Sequence, residues 1–199
     1  KVDDELVEKV PEHVSMFQTQ KTVVGGEGQY NNYHMSTGGR VVRNYHQVDL
    51  NGKQANSEFH GVCLGANQDK LDQTILLKHN SGSTHSKQSY KNVARSKALT
   101  NFSSRVYVKQ GASNIQSKQL NHNLLIDKGA HMSSEPELEI YADEVECAHG
   151  STVGQIDEKS LFYMQSRGLS EKVAKSLLIH GFITDQISEF PTKQQHRAF

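Results

Sequence analysis

The chain has 199 residues, with Lys plus Arg and Asp plus Glu balanced at 22 each, and only 35% of its residues are hydrophobic. A zero formal charge excludes nucleic-acid binding as the default activity, because neutralising a phosphate backbone needs a basic excess. So small an apolar fraction, with plentiful Gly, Ser, Asn, Gln and His, disfavours a compact helical bundle and suits a repetitive β architecture with a narrow core.

The length fits one sizeable domain, or one domain with a small appendage. Cys63 and Cys147 are the only cysteines and lie far apart, so no disulfide framework is expected and a reduced, cytoplasmic compartment is the simpler expectation. No apolar run approaches the roughly 20 residues of a membrane helix, and no signal-peptide pattern opens the chain. The sequence starts at Lys1-Val2-Asp3-Asp4 without Met, which predicts a fragment whose N-terminal portion is missing.

In chain order, Val2, Leu6, Val7 and Val10 read as the end of a helix stopped by Pro11. Short β-friendly pieces then recur at 21–24, 40–42, 58–64, 74–77, 104–108, 123–126 and 138–141, separated by Gly, Asn, Asp and Ser clusters. Ile115, His131 and Cys147 follow one another at intervals of 16, as do Phe59 and Ile75. Asn51-Gly52 is the one strong hairpin signal, so a hairpin array is disfavoured. Short strands, polar edges and stacked inward apolar residues predict a parallel β-helix, a solenoid, over residues 1–156, with 16 residues taken as about one coil.

After Asp157 the period becomes helical. Asp157 caps a helix over 158–167, Gly168 supplies a left-handed stop, and Ser170 caps a second helix. The second helix carries a stripe of Val173, Ala174, Leu177, Leu178, Phe182, Ile183 and Ile187, and Pro191 closes it. Residues 157–199 are thus expected to form a small helical segment docked on the end of the β body.

Chemistry concentrates in Glu146-Cys147-Ala148-His149-Gly150. Residues two apart on a strand share a face, so Cys147 and His149 project together, and thiolate with imidazole suits iron, zinc and iron–sulfur clusters. His131, one interval earlier, is placed near the same patch by the expected coil spacing. The plain structural alternative is that Cys147 fills a core gap and the histidines are surface residues. Cys63 has apolar neighbours and reads as core packing. Glu135, Glu137 and Glu139 alternate along one strand face and read as a solvated exterior. A β-helix enzyme acting on polysaccharide would need a basic partner for them, and none lies between Lys128 and Lys159. A stand-alone metal-binding protein using Cys147 and His149 is a third reading.

The run from Glu137 to Val145 leads into Cys147-Ala148-His149-Gly150, then Ser151 to Asp157, Leu161-Phe162-Tyr163 and Ser166-Arg167-Gly168. This ordered series resembles the C-terminal signature of the SufD branch of the SufB/SufD family of iron–sulfur cluster assembly scaffolds. Weaker similarity runs upstream through 36–40, 49–52 and 123–126. The resemblance implies a right-handed parallel β-helix with a C-terminal helical segment, and a subunit that turns over no substrate. It implies pairing with SufB through the β-helix and binding of the ATPase SufC through Leu161, Phe162, Tyr163 and Arg167. An iron–sulfur cluster would be held transiently at the interface with SufB, with Cys147 and His149 as matching residues and His149 the better candidate ligand; none would be tightly bound by the isolated chain. A SufB-type scaffold is the nearest alternative within the family, and the open strand edge predicts a possible homodimer in isolation.

Overall fold

The computed structural model describes residues 1–191. Its strands are β1 (Val2–Val10), β2 (Ser15–Val24), β3 (Gln29–Gly38), β4 (Val41–Leu50), β5 (Asn56–Gly65), β6 (Lys70–His79), β7 (His85–Ala94), β8 (Leu99–Val108), β9 (Ile115–Leu125), β10 (His131–Ile140) and β11 (Val145–Gln155). Helices α1 (Glu158–Ser166) and α2 (Glu171–Ser188) follow. Odd-numbered strands form one sheet in the order β1-β3-β5-β7-β9-β11, and even-numbered strands form the other, β10-β8-β6-β4-β2. Every pair is parallel, so the chain winds as a β-solenoid of about five turns, as expected. Consecutive strands sit in opposite sheets, and each coil satisfies its backbone groups only by stacking on the next.

This arrangement corrects the expected coil length. Residues paired in register lie 26 to 32 positions apart. The interval of 16 is half a coil: it carries the chain from one sheet to the other, as from Phe59 on β5 to Ile75 on β6. Asn51-Gly52 makes no hairpin. Its turn stacks on the turn one coil earlier, where Glu27 N–H donates to Lys53 O at 2.9 Å, and a Cβ on Gly52 would lie 2.0 Å from Gly26 N.

The N-terminal helix expectation is also overturned, because residues 2–10 are strand β1. Asp4 and Glu8 on that strand hid the alternation. Asp4 accepts from Gln20 Nε2 and Tyr30 OH, both at 2.7 Å. Glu8 pairs with His34 Nε2 at 3.1 Å and accepts from Asn44 Nδ2 at 2.9 Å.

Between the sheets, the even-numbered one contributes an apolar ladder of Val48, Leu77, Val106 and Leu138 in successive coils. It meets Phe59, Tyr90 and Ile115 from the odd-numbered sheet. Burying each large side chain contributes about 1.5–3 kcal/mol. Gly61 is required where Tyr90 stacks over it in register, since an added Cβ would lie 1.9 Å from the Tyr90 ring.

The inward face of the odd-numbered sheet is otherwise largely polar. Ser57, Ser86 and Ser117 stack in one row, and Gln88 and Gln119 in the next. Such groups are tolerated in a core only when paired. Ser86 Oγ meets Ser117 Oγ at 2.8 Å, Asn92 Nδ2 donates to Asn123 Oδ1 at 2.8 Å, and Gln119 Nε2 donates to Ser104 Oγ at 2.7 Å. Buried His79 lies 2.7 Å from Thr84 Oγ1 and 3.0 Å from Ser86 Oγ.

The helices begin and stop as the sequence predicts. Asp157 accepts from Ser160 N–H at 3.0 Å, Ser170 caps α2, and Gly168 adopts φ +90° between them. Their location differs from expectation. The second half of α2 lies flat on the outer face of β5 and β7, with Ile183, Ile187 and Phe190 against Met35, Val62 and Val93, not on the end of the solenoid. The outward positions Val62 and Val93 are apolar, and that stripe is what the helix covers. Residues 192–199 of the expected helical segment lie outside the described residues.

Two glycine substitutions should shift stability in opposite directions. Gly61→Ala overpacks the core beneath Tyr90 and lowers stability by about 1–3 kcal/mol. Gly181→Ala, on the exposed side of α2 with open space around it, raises stability by about 0.5–1 kcal/mol. Thermal unfolding of both variants checks the pair.

Acid should unfold the solenoid in two stages. Burial pushes His46 and His79 down from 6.5 to about 4, so the stability they contribute is complete above 6.5 and is lost as pH falls toward 4. Burial alone would raise Asp4 and Glu8, but the Gln20 and Tyr30 donors at Asp4, and His34 and Asn44 at Glu8, hold both below their ordinary 3.8 and 4.5. Their contribution is present above those values and is lost as pH falls through the lower folded ones. Urea unfolding across pH 7 to 3 should show both slopes, with the upper one shallower in His79→Gln.

Candidate functional site

The solenoid ends on β10 and β11, each paired on one side only, with β8 and β9 respectively. Both strands therefore present a free backbone edge around the open end of the core. β11 takes its register from β9, with Cys147 opposite Ser117 and His149 opposite Gln119. These continue the inward rows just described, so Cys147 and His149 share the face turned toward the inter-sheet space at its mouth.

Cys147 is half-buried against the apolar core together with Leu138 and Val145. Burial pushes its thiol up, and a hydrogen bond from the Ser117 backbone offsets part of that rise. His149 is exposed. Across the mouth, Ser151 Oγ donates to Ser134 Oγ at 2.7 Å, and Ser134 Oγ donates to Asn121 Oδ1 at 2.9 Å, tying β10 to β11 and β9.

His131 does not join this group. It lies on β10, in the other sheet, on the face opposite that of Ser134 and Leu138 and in register with Leu99. Half a coil, not a whole one, separates it from Cys147. Among the described residues no cluster of three or more His, Cys, Asp or Glu side chains is arranged to hold a metal ion. The mouth thus offers two side chains of ligand chemistry on one strand, fewer than the four a closed tetrahedral site uses. Cys63 is buried in the core, where burial pushes its thiol up to about 12.

Glu137 on the outer face of β10 has a basic neighbour that sequence proximity did not reveal. Arg105, one coil away in register, donates from Nε to Glu137 Oε2 at 2.7 Å. Both side chains are about half exposed, at 52% and 50%, an ordinary cross-strand surface pair.

The second candidate region is the helical hairpin. No residue of α1 is buried, and its Phe162 and Tyr163 are 73% and 60% exposed. Arg167 lies 5.3 Å over the Tyr163 ring. Leu161 is turned partly inward, beside a cleft of about 250 Å3 that also touches Ile126, Ile156 and Lys175. Val173 and Leu177 on the first half of α2 are exposed too. The predicted apolar stripe is therefore divided: its C-terminal half binds the solenoid, while in its N-terminal half Ala174 is buried and Val173 and Leu177 face solvent.

A polar clasp that sequence reasoning missed positions the hairpin. Lys91 Nζ donates to both Asp185 carboxylate oxygens, at 2.6 and 2.9 Å, and to Phe182 O at 2.7 Å, beside the Phe182 ring. Ser89 Oγ donates to Gln186 Oε1 at 2.6 Å. Separations of more than 90 residues leave no local signal for these contacts. Lys91→Met should loosen α2 by about 1 kcal/mol, discounted because Asp185 is exposed. Amide exchange over 182–188 should accelerate roughly fivefold while exchange in β5 and β7 stays unchanged.

Comparison with known proteins defines the class. Residues 5–182 match the model of the SUF system FeS cluster assembly SufBD core domain. The chain belongs to this family, and so to the iron–sulfur cluster assembly proteins of the SUF system. It is 34% identical over 161 residues to the iron–sulfur cluster assembly protein SufD of Escherichia coli, covering 79% of this chain and 38% of that protein. It is 32% identical over 169 residues to an iron–sulfur cluster assembly SufBD family protein of Synechocystis, covering 84% of this chain and 37% of the relative. The chloroplastic protein ABCI7 of Arabidopsis thaliana is 32% identical over 171 residues, covering 84% of this chain and 36% of its own length. The chain thus spans little more than a third of the length of these curated relatives. No helix among the described residues is long and apolar enough to cross a membrane.

Proposed function

We propose that this chain is a non-catalytic scaffold subunit of the SUF complex. In this reading it pairs with SufB through the open end of the solenoid and binds the SufC ATPase through the helical hairpin. The observation that carries the reading is the position of Cys147 and His149, on one face of the terminal strand β11 beside an unpaired edge. Two ligand-type side chains at an open edge suit a cluster completed by a second subunit better than a resident metal site. The cluster is then cargo, held transiently between this chain and SufB and not tightly bound by this chain alone. His149 is the better ligand because it is exposed, whereas Cys147 packs into the core.

Leu161, Phe162, Tyr163 and Arg167 form the SufC-facing surface in this proposal, supported by the solvent exposure of Phe162 and Tyr163. Residues 1–156 act as the body that meets SufB and 157–199 as the segment that meets SufC. The same free edges allow self-pairing when SufB is absent. The assembly works in the cytoplasm.

Anaerobic reconstitution of the full-length protein with SufB and SufC tests the assignment. His149→Ala should leave the complex intact but sharply reduce cluster yield, read from visible absorbance and iron content. An unchanged yield would leave the chain a purely structural partner of SufB. The double variant Phe162→Ala, Tyr163→Ala should weaken SufC binding by about tenfold or more while SufB pairing persists. Equal SufC affinity in that variant refutes the hairpin assignment.

A further inference from the structure

The core is not uniformly filled. Between the sheets, around the third coil, lies a cavity of about 10 Å3 walled by residues of both sheets. Five of its lining side chains each present a buried polar atom with no hydrogen-bond partner: His34 Nδ1, Ser36 Oγ, Asn44 Oδ1, Gln73 Oε1 and Thr100 Oγ1. The five residues are between 1% and 8% exposed. They come from β3, β4, β6 and β8, so the cluster is created by the winding of the chain and by no single sequence motif.

The chemistry of these atoms defines what fits. Asn44 spends Nδ2 on Glu8, which fixes its amide and leaves Oδ1 as an acceptor. His34 meets the Glu8 carboxylate through Nε2 at 3.1 Å and leaves Nδ1 without a partner. Gln73 Oε1 is a second acceptor, while the Ser36 and Thr100 hydroxyls can each donate or accept. An anion would be repelled by the two amide oxygens of Asn44 and Gln73. A metal ion lacks its usual anchors, because no three His, Cys, Asp or Glu groups converge among the described residues and Cys63, also in the wall, stays a thiol. A water molecule donates twice and accepts twice, needs two to four polar partners, and fits a space of this size.

We infer that this cavity is a specific binding site for one ordered water molecule, held by Asn44 and Gln73 as acceptors and by the Ser36 and Thr100 hydroxyls. Such a water joins the two sheets at a point where direct contacts leave both unsatisfied. Leaving several buried polar groups unpaired would cost the desolvation of each, so the water is integral to the fold. The inference concerns the stability of the solenoid and stands apart from the proposed cluster and partner sites.

A high-resolution crystal structure of the full-length protein tests it directly. One water peak within hydrogen-bond distance of Asn44 Oδ1 and Gln73 Oε1 is expected. An empty cavity, side chains rotated to satisfy one another, or an anomalous-scattering peak from a metal would overturn it. Thr100→Val supplies an independent readout, since it keeps the shape and removes one hydroxyl. With water bound, the variant loses a partner and its melting temperature falls by about 2 °C. An unchanged or higher melting temperature would mean that the hydroxyl was an orphan in a dry site, and the inference fails.

Discussion

Backbone pairing between coils is the constraint from which the other features follow. Among the described residues no strand pairs its backbone with the strand before or after it in sequence, so each depends on a partner 26 to 32 residues away. One coil alone would leave both strands unpaired and both inner faces wet. Stacking pairs the strands, aligns like residues in ladders, and closes the narrow space between the sheets. It also leaves two unfinished ends, and the end formed by β10 and β11 carries Cys147 and His149.

The two sheets use that narrow space differently. The even-numbered sheet brings aliphatic ladders and the odd-numbered sheet brings serines, glutamines and asparagines. The polar rows restrict the stacking more than the aliphatic ones do. A leucine can slide against its neighbours at modest cost, but a buried Asn92 or Gln119 displaced from Asn123 or Ser104 is left unpaired. The odd-numbered sheet also accepts α2 on its outer face, so it has a polar interior and an apolar stripe outside, the reverse of the usual pattern.

That reversal explains which parts of the fold were legible in the sequence. The β pieces at 58–64, 74–77 and 104–108 were visible because their inward residues are apolar. Strand β7, with Ser86, Gln88 and Asn92 inward, carried no hydrophobic alternation and went unseen, as did most of β3. β1 was read as a helix end because its partners for Asp4 and Glu8 lie on strands far along the chain. The 16-residue interval was real but was assigned to a whole coil, since spacing alone does not say whether a chain has one sheet or two. His131 was misplaced for that reason. The Cys147 and His149 pair needed only the two-residue strand period, and the structure brings them onto one face. The helix caps, Asp157, Gly168 and Ser170, were local and therefore readable. Lys91 and Arg105, whose partners are set by winding, were not.

The variable length of the coils has a consequence for how such a chain can change over generations. Strands stay near ten residues while the distance between register partners varies, so additions and deletions are absorbed at the corners. A corner can lengthen without disturbing the residues on either side of it. One residue inserted inside β11 ahead of Cys147 would instead turn every following side chain of that strand through half a revolution, moving the thiol and imidazole from the mouth of the core to the outside. The corners are open to drift; the strands are locked to a parity.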